Sequence, residues 1–143
     1  MYEAGRLEFV GTVTKVEDDT SKIKILPEYG EALQGLRGFS HIIVLYWFHL
    51  NDNEEQRRIL KVKPRRHKGA PEVGVFASRS PARPNPIGLT VCELLDIRER
   101  TLTVMELDAA EGTPVIDIKP YLPRADCVRD AHGPSWTSEG PKT

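Results

Sequence analysis

The chain has 143 residues and is 39% hydrophobic, which suits one compact domain with a core and is too short for two. A net charge of -1 excludes a protein that coats nucleic acid over its whole surface, though not one with a local basic patch. Two cysteines exclude a disulfide framework, and four scattered histidines offer no metal-ligand spacing.

Eleven glycines and eleven prolines fit a turn-rich β fold better than a helical bundle. Leu7–Val16 reads as a first strand, Glu17-Asp18-Asp19 as a polar turn, and Lys22–Ile25 as a cleanly alternating second strand. Pro27–Leu36 has Ala32, Leu33 and Leu36 at helical spacing and predicts a short helix, broken by Gly35 and Gly38. The continuous run Ile42–Phe48 predicts a strand buried on both faces. It is also the longest apolar stretch and far too short to span a membrane as a helix; with no signal peptide visible, the expected location is the cytoplasm.

Asn51–Arg58 is polar, a short helix or a loop. Arg57–Lys68 carries seven Lys/Arg and no acid around Pro64, and reads as a basic loop with Lys63, Arg65, Arg66 and Lys68 as candidate phosphate contacts. Val73–Ala77 is a short strand. Ile87–Ile97 and Thr101–Leu107 read as strands joined by the charged turn Arg98-Glu99-Arg100, with Cys92 a small buried residue in the first. Ile116–Lys119 is the last apolar segment. The expected fold is mainly β, a single small β-barrel with few short helices over residues 1–123, and a polar tail over 124–143 that is ordered only if it docks.

The least ordinary segment is Phe76–Gly88. Pro81, Pro84 and Pro86 fix φ there and push the residues before them to extended geometry. Arg79, Arg83 and Asn85 are thereby held on a stiff loop just before a strand, a way to present polar groups with little ordering cost on binding. From composition alone, a proline-rich turn with two solvated arginines explains the segment equally well.

Phe76-Ala77-Ser78-Arg79-Ser80-Pro81-Ala82-Arg83-Pro84-Asn85-Pro86-Ile87-Gly88 resembles the hallmark of the TrmO (TsaA-like) family. Gly38-Phe39-Ser40-His41-Ile42 is similar to the family's Phe-Ser-His strand opening. Glu111–Tyr121 is similar to its Asp-Gly-Thr-Pro…Asp-Ile-Lys-Pro-Tyr segment. The three motifs stand in the family's order and are spread from Gly38 to Tyr121. The resemblance implies a β-barrel, a homodimer, S-adenosylmethionine as cofactor and tRNA as partner. It also implies methyl transfer to N6 of the threonylcarbamoyl-adenosine beside the anticodon. The absence of a G-x-G-x-x-G loop agrees with a cofactor site that is not of Rossmann type.

Carried over by position, the resemblance implies cofactor-binding roles for His49, Leu50, Arg79, Leu89 and the run Met105-Glu106-Leu107-Asp108. A guanidinium at Arg79 suits the methionine carboxylate, and Asp108 suits the ribose hydroxyls. Arg83 is a second candidate donor, to the cofactor or to tRNA phosphate. Asn85 is a candidate for orienting the acceptor nitrogen, and Asp117 and Tyr121 for contacting the substrate or taking its proton. The ordinary readings are core leucines for Leu89 and Leu107, a turn residue for Asp108, a turn cap for Asn85 and a barrel-end aromatic for Tyr121.

Two departures from the bacterial family pattern bear on the function. A Pro-Arg-Gln-bearing segment after the first strand is replaced here by the short acidic turn within Val13–Lys22. The further small domain that follows Pro-Tyr-Leu-Pro in bacterial members has no counterpart in this sequence. The alternatives are a cofactor- or nucleotide-binding dimer without catalysis and a methyltransferase with another substrate.

Overall fold

The computed structural model describes residues 3–138 and 140, which fall into two compact units. The first comprises Met1–Trp47 and Leu89–Tyr121, the second Phe48–Gly88 and Leu122–Thr143.

The first unit is antiparallel sheet. Strands β1 (Gly11–Glu17) and β2 (Thr20–Ile25) form a hairpin, closed at Glu17 and Thr20 around Asp18, whose φ of 53° is a left-handed conformation that aspartate tolerates in turns. Ser21, Ile23 and Ile25 point inward while Lys22 and Lys24 point outward, as their alternation predicts. Strand β3 (His41–Trp47) corrects the expectation of a strand buried on both faces. Ile42, Val44 and Tyr46 fill the core, whereas Ile43, Leu45 and Trp47 lie half-buried on the outer face. A continuous apolar run cannot by itself reveal which of two faces is covered.

Two short strands of the second unit come next in the chain, β4 (Lys61–Val62) and β5 (Val73–Gly74). Strand β6 (Ile87–Arg98) and strand β7 (Thr101–Met105) form the expected hairpin, turning through Glu99 at φ 54°. Strand β8 (Pro114–Pro120) pairs with β3 on one side and β1 on the other. The order β1-β2-β7-β6-β3-β8 therefore closes on itself.

Val13, Ile23, Ile42, Val44, Cys92, Leu102, Val104 and Val115 are fully buried, each aliphatic contributing roughly 1.5–3 kcal/mol by leaving water. Within this core the Tyr46 hydroxyl and Thr90 Oγ1 satisfy each other at 2.8 Å. Pro27–Leu36 is not an α-helix. It forms a 3₁₀ segment, Pro27–Leu33, and a second turn, Leu36–Gly38, separated at Gly35 with φ 87°. Only Leu36 of the three spaced apolar residues is buried, and Gly30 and Gly35 interrupt a run already too short to propagate.

In the second unit, helix α1 (Glu54–Arg57) is capped by Asn53, whose Oδ1 accepts from the Gln56 amide at 2.8 Å. The basic run is not wholly a loop: Lys61 and Val62 pair with β5 across a two-residue ribbon. The segment expected as a strand over Val73–Ala77 turns after Gly74 into a 3₁₀ turn, Val75–Ala77, that buries Val75. Beyond helix α2 (Pro123–Asp126) the tail carries one more 3₁₀ turn, Ser135–Thr137. It docks on the basic run, with the Trp136 and His67 rings 5.4 Å apart.

Burial pushes the Cys92 thiol up to about 12, with the Glu106 carboxylate adding to the effect, while Cys127 is exposed. Native protein should therefore titrate one fast thiol with a disulfide reagent at pH 8, and two once unfolded. Because the folded-state value lies above the unfolded one, this stabilisation is complete below the ordinary thiol range and is lost as pH rises toward 12. Thermal melts of wild type and Cys92→Ala should accordingly converge in stability as pH rises from 9 to 11.

Candidate functional site

The signature loop is fixed by its own polar groups. Ser78 Oγ donates to the Val75 carbonyl at 2.9 Å and accepts from the Ser80 amide at 3.2 Å, and Ser80 Oγ accepts from the Ala82 amide at 3.2 Å. These are serine turns, which suit a stretch whose prolines cannot donate backbone N–H groups. Arg83 Nη1 donates to the carbonyls of Ser78 at 3.0 Å and Ser80 at 3.1 Å. The loop ends on buried Pro86, whose carbonyl accepts from the Phe48 amide at 2.7 Å, while Ile87 N donates to the Asn85 carbonyl at 2.7 Å.

A second tie comes from the basic run. Arg57 Nη1 donates to the Pro84 carbonyl at 3.2 Å, and its Nε pairs with Asp52 at 2.6 Å. Sequence reasoning missed Arg57, Ser78 and Ser80. The Ser-x-Ser-Pro spacing was a readable turn signal, whereas Arg57 looked like one more member of a charge run.

These bonds separate the two arginines by role. Arg83 is a positioning residue that holds the loop, and its guanidinium is pushed down in pKa by partial burial and then by the charge of Arg79. Arg79 is exposed and makes no hydrogen bond or ion pair among the described residues. Two like charges sharing one short loop favour an anionic ligand between or beside them. The Asn85 carboxamide is likewise exposed and without a hydrogen bond among the described residues, while the backbone carbonyls of Pro84, Asn85 and Pro86 are all engaged. Of the other residues expected in this unit, His49 is half-buried in a 3₁₀ turn and Leu50 is 76% exposed. Lys63, Arg65, Arg66 and Lys68 are exposed along the basic run.

In the sheet unit, Leu89 sits on the outer face of β6, and Met105 ends β7. Glu106 follows at φ 65°, its N–H donating to the Asp19 carbonyl at 2.8 Å. That reversal buries Leu107 and leaves Asp108 on the surface.

Asp117 lies mid-strand in β8 opposite Leu45, one carboxylate oxygen accepting from the Ile118 amide at 2.9 Å and the other paired with Lys119 at 3.0 Å. Tyr121 packs its ring 6.4 Å from that of His41, itself bonded through Nδ1 to Ser40 Oγ at 2.8 Å. The strand order fixes where these groups stand. Antiparallel neighbours put the end of β7 and the start of β6 at one end of the sheet, and the start of β3 and the end of β8 at the other. Leu89 and Met105–Asp108 thus share one end, and Tyr121 stands at the opposite one.

Residues 12–127 match the tRNA-methyltransferase O N-terminal domain family. This chain belongs to that family. It is 44% identical over 119 residues to the S-adenosyl-L-methionine-binding protein of Archaeoglobus fulgidus, covering 83% of this chain and 81% of that one. It is 45% identical over 123 residues to MJ1583 of Methanocaldococcus jannaschii, which bears the name of a probable S-adenosyl-L-methionine-binding protein, covering 86% of this chain and 97% of the other. The crystal structure of TrmO from Pseudomonas aeruginosa superposes with a TM-score of 0.72 at 28% identity, over 94% of this chain and 62% of that one. The chain thus spans 81% and 97% of these two archaeal proteins but about three fifths of the bacterial one. Among the described residues no helix is long and apolar enough to cross a membrane.

The role assigned to Arg83 has a direct consequence. Arg83→Ala removes two charge-assisted bonds, each in a class worth about 1.5–3 kcal/mol. Hydrogen exchange at the Ser80 and Ala82 amides should accelerate tenfold or more, while core amides such as Val44 and Val104 stay protected. Unchanged exchange in the loop would mean that the prolines alone hold it.

Proposed function

We propose that this chain transfers the methyl group of S-adenosylmethionine to N6 of the threonylcarbamoyl-adenosine beside the anticodon of tRNA. The methyltransferase class and the cofactor come with family membership. The identity of the nucleoside is our own reading. The observation that carries it is the signature loop, which offers a guanidinium and a carboxamide to solvent from a backbone already ordered by Arg83, Ser78 and Ser80.

The proposed residues suit the cofactor by chemical type. Arg79 is an uncommitted cation for its carboxylate, Leu107 and Leu89 are apolar walls for an adenine, and Asp108 is a surface carboxylate for ribose hydroxyls. His49, Leu50, Met105 and Glu106 complete the proposed cofactor set. When bound, S-adenosylmethionine supplies an electrophilic methyl on a cationic sulfonium. Asn85 then has the remaining task of accepting the N6–H hydrogen bond so that the nitrogen lone pair faces that methyl. Lys63, Arg65, Arg66 and Lys68 would meet tRNA phosphates. Arg83 acts through the loop it holds and not as a further phosphate contact. The cytoplasm is the proposed compartment.

Asp117 and Tyr121 are proposed to touch the nucleoside and take the proton that N6 loses on methylation, and a homodimer gives them a route. Val91 and Leu95, 42% and 43% exposed, extend the outer stripe of β6 from Leu89 toward the opposite end of the sheet. Packing two such stripes about a two-fold axis sets the Tyr121 end of one copy beside the Leu89 end of the other. Mixing Arg79→Ala with Tyr121→Phe should then restore part of the activity that each variant lacks alone. No recovery on mixing, or a monomer at high concentration in sedimentation, would remove the dimer from the scheme.

A second reading rests on the β1–β2 turn. The hairpin closes at Glu17 and Thr20, a short turn where the family resemblance implies a Pro-Arg-Gln-bearing cofactor segment in bacterial members. On that reading the chain binds its cofactor without catalysis. Arg79→Ala should lower S-adenosylmethionine affinity about thirtyfold to a thousandfold, from the roughly 2–4 kcal/mol of a desolvated charge pair. Asn85→Ala should leave calorimetric cofactor binding intact and slow single-turnover methylation of tRNA. Cofactor binding with no methylation of any host tRNA would favour the second reading.

A further inference from the structure

The docked tail places an aromatic pair in the basic run. Trp136 sits in the 3₁₀ turn Ser135–Thr137, secured by Thr137 Oγ1 and Ser138 Oγ donating to the carbonyls of Pro134 and Ser135, both at 2.6 Å. Its ring meets His67 at 71° between planes, an edge-to-face arrangement. Four residues on, Gly140 runs so close to the loop that a Cβ there would lie 3.0 Å from the Arg66 carbonyl and 3.4 Å from His67 Nδ1. With φ at 104°, Gly140 is in a conformation that other residues rarely adopt. The tail is thus held to the basic run at two points.

This contact is not a hydrophobic core. Residues 122–135 are all exposed, and His67 and Trp136 are only half-buried. Whichever ring gives its edge, an edge-to-face pair leaves at least one face of each ring uncovered by its partner. Lys63, Arg65 and Lys68, all exposed, flank His67 within five residues of sequence. Aromatic faces interleaved with cations are how proteins hold single-stranded nucleic acid: the ring stacks a base, and the cations meet its flanking phosphates.

We propose that Trp136, set by His67 within the basic run, is a stacking platform for an unpaired RNA base whose neighbouring phosphates contact Lys63, Arg65 and Lys68. The proposal rests on the tRNA reading above and adds a binding residue in the tail, outside the region that matches the family. It also assigns the tail a part in RNA binding, where a solvated basic loop would need none.

The platform and the cations have different signatures. Trp136→Ala should weaken binding of bulk tRNA about fivefold to a hundredfold without changing the slope of log K against log salt. Trp136→Phe should keep most of the affinity. Lys63→Ala, by contrast, should reduce that slope by roughly 0.7–0.9. Quenching of tryptophan fluorescence by an unstructured oligonucleotide should fall in Trp136→Phe, which retains only Trp47 as a reporter. S-Adenosylmethionine affinity, measured by calorimetry, should be the same in every variant and shows that each is folded. Wild-type protein that binds no tRNA overturns the tRNA reading and the platform with it. Wild-type binding matched by Trp136→Ala overturns the platform alone, and so does tighter binding by Trp136→Ala, which would make the tail a cover over the basic run.

Discussion

The sheet closes because β1 is hydrogen-bonded on both edges, to β2 and to β8. Gly11 lies on that seam, facing Ile25 on one side and Val115 on the other. A Cβ at Gly11 would fall 2.5 Å from the Lys24 carbonyl oxygen, so the seam closes only over a residue without a side chain. Everything else in this unit relies on that closure. It removes the free edges of the sheet, encloses the side chains of Ile23, Val44, Leu102 and Val115, and fixes the vertical placement of the strand ends. The outward step of Leu89 and the left-handed turn at Glu106 are rigid because the strands leading into them are.

The signature loop reaches order by a different route. It has no ladder to lean on, so serine hydroxyls and one guanidinium satisfy its carbonyls and amides. The two arginines of one motif consequently have opposite roles. One is turned inward as a brace, and the other is left outward with no ion pair among the described residues. That division could not be read from residue type, because both sit in the same proline-rich context.

Alternation over Lys22–Ile25 and the charged turn at Arg98–Arg100 made the hairpins legible, since period-two patterning reports a half-buried strand directly. Ile42–Phe48 misled because its outer face is apolar as well, and sequence cannot say whether a partner covers it. The 3₁₀ turns over Pro27–Gly38 were hidden behind helical spacing that glycine breaks every few residues. The three motifs marked candidate residues but not their vertical order. Tyr121 belongs to a motif that looks local to the others and stands at the far end of the sheet, a consequence of strand direction that no short pattern encodes. The docking of Trp136 on His67 joins positions 69 residues apart, beyond the reach of any periodicity.

The hairpin turn at Asp18-Asp19 has an evolutionary side. The register of β1 against β2 is set by inward Val13, Ile23 and Ile25 and by the seam at Gly11, not by the two residues that join the strands. Loop-closure entropy grows only as the logarithm of length, so a tenfold longer connection would cost roughly 2 kcal/mol. The connection could therefore lengthen at this point while keeping the barrel unchanged. The turn is a site of cheap variation, where length can change independently of folding.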